Sequence, residues 1–429
     1  SMGVAAADYN NDGHVDLFVA GVNRNTLFRN TGKGRFDDVT RSAGIASSVW
    51  SVAGGWFDYD NDGWLDLFVV NYVQWSPESD RFCGDADRAV RVYCHPKYFR
   101  GLANVLYRNR GDGTFEDVSA ASGLAAHIGK GMSVAFADYD LDNRVDVFVT
   151  NDTVPNFLFH NKGDGTFEEA GLVAGVALTD EGRAISSMGT DFRDYDNDGL
   201  PDIVLTALTG ETFPIFHNEG HGSFRDATHA SGLGRHSIKR SGWSVGFVDF
   251  NNDGLKDIFT ANSHVNDRIE HFEATTYKQA NSIFANVGGG RFRDDSERAG
   301  HEFSRTAAHR GSAFADFNQD GKIDVVVSTL GAPAELWENI TAAGDWLQIR
   351  LIGKDSNRDG IGANIRWGSQ HNHMTTSSGY LSSSHGPVHF SALDKAGSGE
   401  VEIRWPSGKT QRLRPAGLNQ IIEVREPEE

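Results

Sequence analysis

Short apolar runs, separated by clusters of aspartate, asparagine and glycine, recur along most of the chain, and they alternate as half-buried strands do. One phrase opens with such a run, passes through D-x-(D/N)-x-D-(G/N)-x-x-D and becomes a second strand. Its copies start at Asp8, Asp58, Asp138, Asp194, Asp249 and Asp316. A second phrase follows the first five copies: a strand ending in Asn, a Gly-rich turn and an aromatic strand start, as in Leu106–Phe115 and Leu158–Phe167. Gly-Asp-Gly suits a hairpin tip because such turns need residues that tolerate positive φ. Each unit therefore reads as four antiparallel strands, A to D, and such units repeated along a chain predict propeller blades. No 3.6-residue apolar period is sustained, which excludes a helical solenoid. The expected fold is all-β: a propeller of four-stranded blades over residues 3–340, with six visible repeats and six or seven blades, then a small β-sandwich-like domain over residues 346–426.

Meander geometry sorts the connections. A–B and C–D turns lie on one face of the disc, and B–C and D–A turns on the other. The aspartate loops are all A–B, so that face is regular. The irregular insertions, Tyr72–Asn104, Ser263–Ser282 and the stretches around Thr179–Ser187 and His301–Arg310, fall on the opposite face. Variable loops on a rigid scaffold are where recognition is expected.

The chemistry of the regular loops points to calcium. Positions 1, 3, 5 and 9 supply side-chain oxygens, position 7 a backbone carbonyl, and glycine at position 6 the sharp turn. The predicted ligand sets are Asp8, Asn10, Asp12, His14 and Asp16; Asp58, Asp60, Asp62, Trp64 and Asp66; Asp138, Asp140, Asp142, Arg144 and Asp146; Asp194, Asp196, Asp198, Leu200 and Asp202; Asp249, Asn251, Asp253, Leu255 and Asp257; and Asp316, Asn318, Asp320, Lys322 and Asp324. Calcium takes about six to eight such oxygens in flexible geometry, whereas magnesium demands a tighter octahedron and zinc wants His or Cys. An EF-hand needs glutamate at position 12, where Val19 and Val69 stand inside strands. Plain Asx-rich turns are the alternative, and six in register disfavour it. Asn143 replaces the usual glycine in the third loop, which predicts a weaker site there.

The net charge of −19 disfavours nucleic acid and anionic membranes as partners. About six divalent ions would offset about twelve of those charges. No apolar run reaches the roughly 20 residues of a spanning helix, so membrane insertion is not expected, and a monomer is. Ser1-Met2-Gly3 reads as a cloning remnant. Cys83 and Cys94 are expected to form a disulfide, in keeping with an oxidising, calcium-rich compartment: secreted, periplasmic or extracellular.

The repeats resemble FG-GAP/VCBS repeats over roughly Gly3–Asn339. In the C-terminal unit, Ser356–Ala363, Ser378-Gly379-Tyr380-Leu381-Ser382 and Arg404-Trp405-Pro406-Ser407-Gly408 resemble the ASPIC–UnbV domain. With Cys94-His95-Pro96, the whole chain is similar to the cartilage-acidic-protein-like family. That resemblance implies seven blades in other members, and secretion. Asp355, Asn357 and Asp359 imitate a metal loop but read as a turn, because Ala363 stands at position 9.

Other short signals are weaker. Arg110-Gly111-Asp112 and the sequons at Asn151 and Asn339 fit hairpin and chance occurrence, and no zinc-protease motif, nucleophile elbow or phosphate loop is present. Asn71, Asn151 and Asn262 end strand B in three blades. Asp152, Arg183 and Asp267 are ligand-binding candidates, and His264, His309 and Arg310 catalytic candidates, on the irregular face near the central axis. The leading functional reading is a secreted, calcium-stabilised module that binds a protein or glycan through that face. The competing reading is an enzyme, of polysaccharide-lyase or natural-product-tailoring type, with a pocket at the channel mouth.

Overall fold

The computed structural model describes residues 2–393 and 399–428, so Ser1 of the expected cloning remnant lies outside them. Five sheets have four antiparallel strands in simple meander order, and a sixth has three. Blade 1 comprises Val4–Ala7, Asp16–Val19, Thr26–Asn30 and Phe36–Asp38. The first strands of the others are Ser51–Phe57, Gly131–Ala137, Thr190–Arg193, Gly242–Val248 and His309–Ala315. Successive first strands lie side by side, as the innermost strands of a propeller must. Blade 6 ends with Glu335–Trp337 and has no fourth strand among the described residues. Six blade sheets stand among the described residues.

Apolar alternation builds the core between blades. Phe136 reaches across to blade 2, where a Cβ on Gly55 would lie 2.2 Å from its ring, and it stacks on Phe57 at 4.6 Å between centroids. Phe314 approaches Gly246 in the same way. Glycine is required at both positions because the neighbouring ring occupies the side-chain space.

The C-terminal unit is two sheets face to face. Trp346–Ile352 pairs antiparallel with Val388–Ser391 and parallel with Gln420–Arg425. The other sheet runs Gln370–His373, Asn364–Trp367, Val401–Arg404 and Thr410–Leu413. Leu347, Ile349, Ile365, Phe390, Ile403 and Trp405 fill its interior. This sandwich sits on the propeller rather than beside it. Its loop Thr375–Ser384 enters the ring and touches the first strand of every blade. Gly379 exchanges hydrogen bonds with Thr190, at 2.7 and 3.1 Å, and Ser377 Oγ donates to Val134 O at 2.7 Å. Tyr380 N–H donates to Ser244 Oγ at 3.0 Å, Phe314 N–H to Ser384 Oγ at 3.0 Å and Val4 N–H to Leu381 O at 3.1 Å. Ser377 Oγ also lies beside Gly55 of blade 2. The loop plugs the channel and bridges blade 6 to blade 1.

Candidate functional site

The aspartate loops fold as their spacing requires. Position 1 accepts the backbone N–H of positions 5 and 6, as Asp58 does from Asp62 at 3.1 Å and Gly63 at 2.9 Å. Position 9 is buried beneath the turn: Asp66 accepts from Tyr59 N–H at 3.1 Å and Asn109 N–H at 2.8 Å. Asn109 closes the second phrase of its blade, and its side-chain amide donates to Leu65 O of its own loop and Tyr9 O of the preceding one. Asn161, Asn218 and Asn286 repeat this double bond to two loops. The strand-C asparagines of blades 2 to 5 therefore each tie their own metal loop to the preceding one.

The oxygens that remain fit a hard divalent cation. Ligand atoms of Asp58, Asp60 and Asp62 lie within 4.8 Å of one another, as do those of Asp138, Asp140 and Asp142. Asp16 Oδ2, Asp60 Oδ1, Asp138 Oδ1, Asp140 Oδ1 and Asp196 Oδ1 are buried without a hydrogen-bond partner. Burial first, then neighbouring carboxylates, pushes Asp16 and Asp58 up to about 7 and Asp8 to about 6. Carboxylates crowded and desolvated in this way are what a bound cation relieves.

Sequence reading missed the residue before the strand-C asparagine in blades 2, 3 and 4, which faces the metal loop. His160 Nδ1 lies 3.3 Å from Asp146 and 3.6 Å from Asp140, and His217 Nδ1 3.1 Å from Asp202 and 3.6 Å from Asp196. Hydrogen bonding to Asp202 raises His217 to about 9. In blade 2 the same place holds Arg108, 2.8 Å from Asp60 and 3.3 Å from Asp62. The visible signal was Phe-His-Asn in two blades against Tyr-Arg-Asn in another.

Position 6 has a second role. A Cβ on Gly13 would meet Arg358, on Gly63 the Asp355 carbonyl, on Gly199 His371, on Gly254 Leu393 and on Gly321 Trp346. In the third loop Asn143 donates to Pro406 O at 3.1 Å. All six loops thus dock the C-terminal sandwich at one position. The sandwich also donates to position 1: Gln348 Nε2 to Asp316 at 2.8 Å, and Ser391 Oγ to Asp249. The Asp355–Asp359 segment is a turn. Asn357 bonds Ile361 through both ends of its amide, Asp355 pairs with Lys409, and Asp359 meets His385 at 3.1 Å.

On the opposite face, B–C and D–A connections pair with each other, as Leu102–Ala103 does with Ile128–Gly129. Tyr380, at the tip of the plug, closes the mouth against Met132, Met188 and Trp243. Tyr72 donates to Asp152 Oδ2 at 2.7 Å, and burial pushes Asp152 up to about 6 against the pull of that bond. Arg310 lies 4.1 Å over the Trp243 ring, and burial lowers its pKa. His264 accepts from Asn266 N–H at 3.0 Å, and burial lowers its pKa. His309 is fully buried, with Nδ1 at Gln279 O (3.0 Å) and Nε2 at Glu335 (3.1 Å). Arg183 and Asp267 stand exposed, facing Glu181 and Arg268. Asn71, Asn151 and Asn262 spend their amides on the carbonyls of Ala103, Pro155 and Ala280. The candidates therefore divide: Asp152 and Arg310 flank the plug tip, His309 is tied into the fold, and Arg183 and Asp267 stand on the surface.

Cys83 and Cys94 form a disulfide that brackets a short hairpin, Gly84–Asp85 with Val90–Arg91, inside the largest insertion. No helix among the described residues is long and apolar enough to cross a membrane.

Residues 353–429 match the ASPIC and UnbV family, and residues 8–69, 84–149, 138–205 and 194–260 match the FG-GAP-like repeat. The chain is 27% identical to human cartilage acidic protein 1 over 74% of its length and 47% of the relative's. It is 24% identical to the mouse protein over 100% of its length and 65% of the relative's. It thus spans about half to two-thirds of these relatives. Among solved structures, an Agrocybe aegerita lectin with specific recognition of non-reducing terminal N-acetylglucosamine aligns over 79% of this chain and 81% of its own, with 16% identity and a TM-score of 0.42.

Proposed function

The chain belongs to the family of FG-GAP-like-repeat proteins that end in an ASPIC and UnbV domain, and on that premise we propose that it is a secreted, calcium-stabilised module that binds a protein or glycan through its irregular face. The observation that carries this reading is the placement of the C-terminal sandwich. It covers the metal-loop face at all six loops, so the opposite face is the one left to a large partner. That face also exposes aromatic side chains on its two long insertions: Phe82, Tyr93 and Tyr98 on one and Phe272 on the other. Exposed aromatics on a disulfide-braced loop are what interface anchors require. Six loops of calcium ligands would hold the blades in register, with Asp8, Asp58, Asp138, Asp194, Asp249 and Asp316 leading each set. The disulfide and the calcium chemistry both favour an extracellular or periplasmic setting.

The test is an array of extracellular glycans and matrix proteins probed with the calcium-loaded chain. Binding is expected to be lost in the triple variant Phe82→Ala, Tyr93→Ala, Tyr98→Ala with its melting temperature unchanged. Equal binding by the triple variant would remove this face from the function.

A further inference from the structure

Zinc wants His or Cys, and the metal phrase offers neither at positions 1, 3, 5 and 9. In blades 3 and 4 the fold supplies a histidine from strand C instead. His160 and His217 stand one residue beyond the Val147–Phe159 and Ile203–Phe216 pairs, so His160 falls opposite Asp146 and His217 opposite Asp202. Residues directly opposite in an antiparallel pair point to the same side, which turns both rings onto the metal loop.

Each ring nitrogen joins two aspartates in a compact donor set. The ligand atoms of Asp140, Asp146 and His160 lie within 4.8 Å of one another, and so do those of Asp196, Asp202 and His217. The nitrogen-to-oxygen distances run from 3.1 to 3.6 Å. Two donors on a tetrahedral ion with bonds of about 2.1 Å stand about 3.4 Å apart. Several of these atoms have no other partner. His160 Nδ1, Asp140 Oδ1 and Asp196 Oδ1 are buried without a hydrogen bond, as is Oδ1 of Asp138, a residue 3% exposed that clusters with Asp140. Tyr139 and Tyr195, at position 2 of the two loops, meet the histidine rings edge-on at 5.9 and 6.3 Å between centroids. The support is thus the same in both blades.

The other blades lack this donor. The corresponding residues are Arg29, Arg108, Ala285 and Glu338. Arg29 turns to Asp37, and Arg108 to Asp60 and Asp62. A guanidinium has no lone pair to give a cation, alanine has no donor, and Glu338 adds only oxygen. Calcium takes oxygens, whereas imidazole suits zinc and its neighbours among the transition metals.

We propose that the third and fourth loops prefer a transition ion of the zinc class to calcium, with Nδ1 of His160 and of His217 as ligands. Asp140 and Asp146 complete the first donor set, and Asp196 and Asp202 the second. The proposal rests on the reading that the loops hold cations, and it names the ion that two of them select. A proton is the competing occupant of each ring. An imidazolium would act as a built-in counter-charge, as Arg108 does in blade 2, and would keep the metal out.

The experiment dialyses the full chain against about 1 mM calcium, with and without micromolar zinc, and counts both metals. Two zinc ions per chain are expected that calcium does not displace and that the double variant His160→Asn, His217→Asn does not hold. Asparagine sets an amide oxygen near the Nδ1 position, so zinc affinity should fall at least about tenfold while calcium still binds. His229→Asn, in the exposed cluster of Asp180, Glu181 and His229, controls for surface sites and should leave both ions in place. Anomalous diffraction at the zinc edge, from crystals of the unaltered chain, should put one ion about 2.1 Å from each Nδ1. Should the double variant fail to fold, the diffraction decides alone. Zinc retained by the double variant, zinc displaced by calcium, or no anomalous peak at these nitrogens overturns the proposal. The calcium count tests the calcium reading separately: zinc at both histidines with no calcium in the other loops would sink that reading and uphold this one.

Discussion

Asn143 donates its side-chain amide to the Pro406 carbonyl at 3.1 Å while holding a left-handed backbone, φ +71°. The one residue that departs from glycine at position 6 is therefore a tether between the third loop and the sandwich, and no residue without a donor would replace it. Asn143→Ala should lose the bond and strain the backbone, lowering stability by about 2 kcal/mol. Asn143→Gly should lose the bond but relieve the backbone, and stay within about 1 kcal/mol of the parent. Urea denaturation in saturating calcium separates the two; equal losses would mean that the backbone conformation is irrelevant.

The repeat, the strand order and the metal phrase were legible in the sequence because each rests on local spacing. Asp66 and Gly63 do the same job in their loop as Asp257 and Gly254 do in theirs, so periodicity alone exposes them. What spacing does not encode is contact between distant segments. Ser378–Ser382 could be read as a C-terminal signature, but nothing local says that it fills the channel. A clue lay in the run Thr375-Thr376-Ser377-Ser378, with Ser382-Ser383-Ser384 beyond Tyr380. Small hydroxyls suit a loop that must satisfy the open polar groups of inner strands. His371, His373, His385 and His389 were passed over for the same reason: they line a cavity with residues far away in sequence.

Gly379 is where the plug has no room to spare. Its φ is +80°, and an added Cβ would sit 2.2 Å from Ser244 Oγ, an atom already bonded to Tyr380 N–H. Gly379→Ala should cost about 2–4 kcal/mol, from overpacking added to backbone strain. Gly386→Ala, with nothing within 4 Å of the new carbon, serves as the control and should be neutral. A thermal melt in which both variants match the parent would show that the loop does not sit in the ring.

His373 gives the docked sandwich a pH signature. Burial, reinforced by the positive charge of Arg193, holds its pKa down at about 3, and its Nε2 meets Phe136 O at 3.1 Å. In the unfolded chain the same group titrates near 6.5. Between those values the unfolded chain binds the extra proton, so stability is lost as pH falls below about 6, by up to about 1.4 kcal/mol per unit. His373→Gln keeps a polar tip at the Nε2 position and should flatten that part of the curve. Chemical denaturation at pH 7, 6 and 5 measures it, and an unchanged slope in the variant assigns the loss elsewhere.

Cation removal should act on stability with the opposite pH trend. Asp16, Asp58, Asp146, Asp202 and Asp257 are each pushed up to about 7, by burial first and with neighbouring loop carboxylates adding to it. Unfolded, these groups ionise near 3.9. Without metal the folded chain therefore binds more protons between about pH 4 and 7, and its stability falls as pH rises through that window. Calcium favours the ionised carboxylates, so its stabilising effect grows as the protons leave and is largest at and above neutral pH. The difference in melting temperature between calcium and EDTA should thus be large at pH 7.5 and shrink towards pH 5. A difference that is constant across this range, or that grows on acidification, would mean that these carboxylates are not where the cation binds.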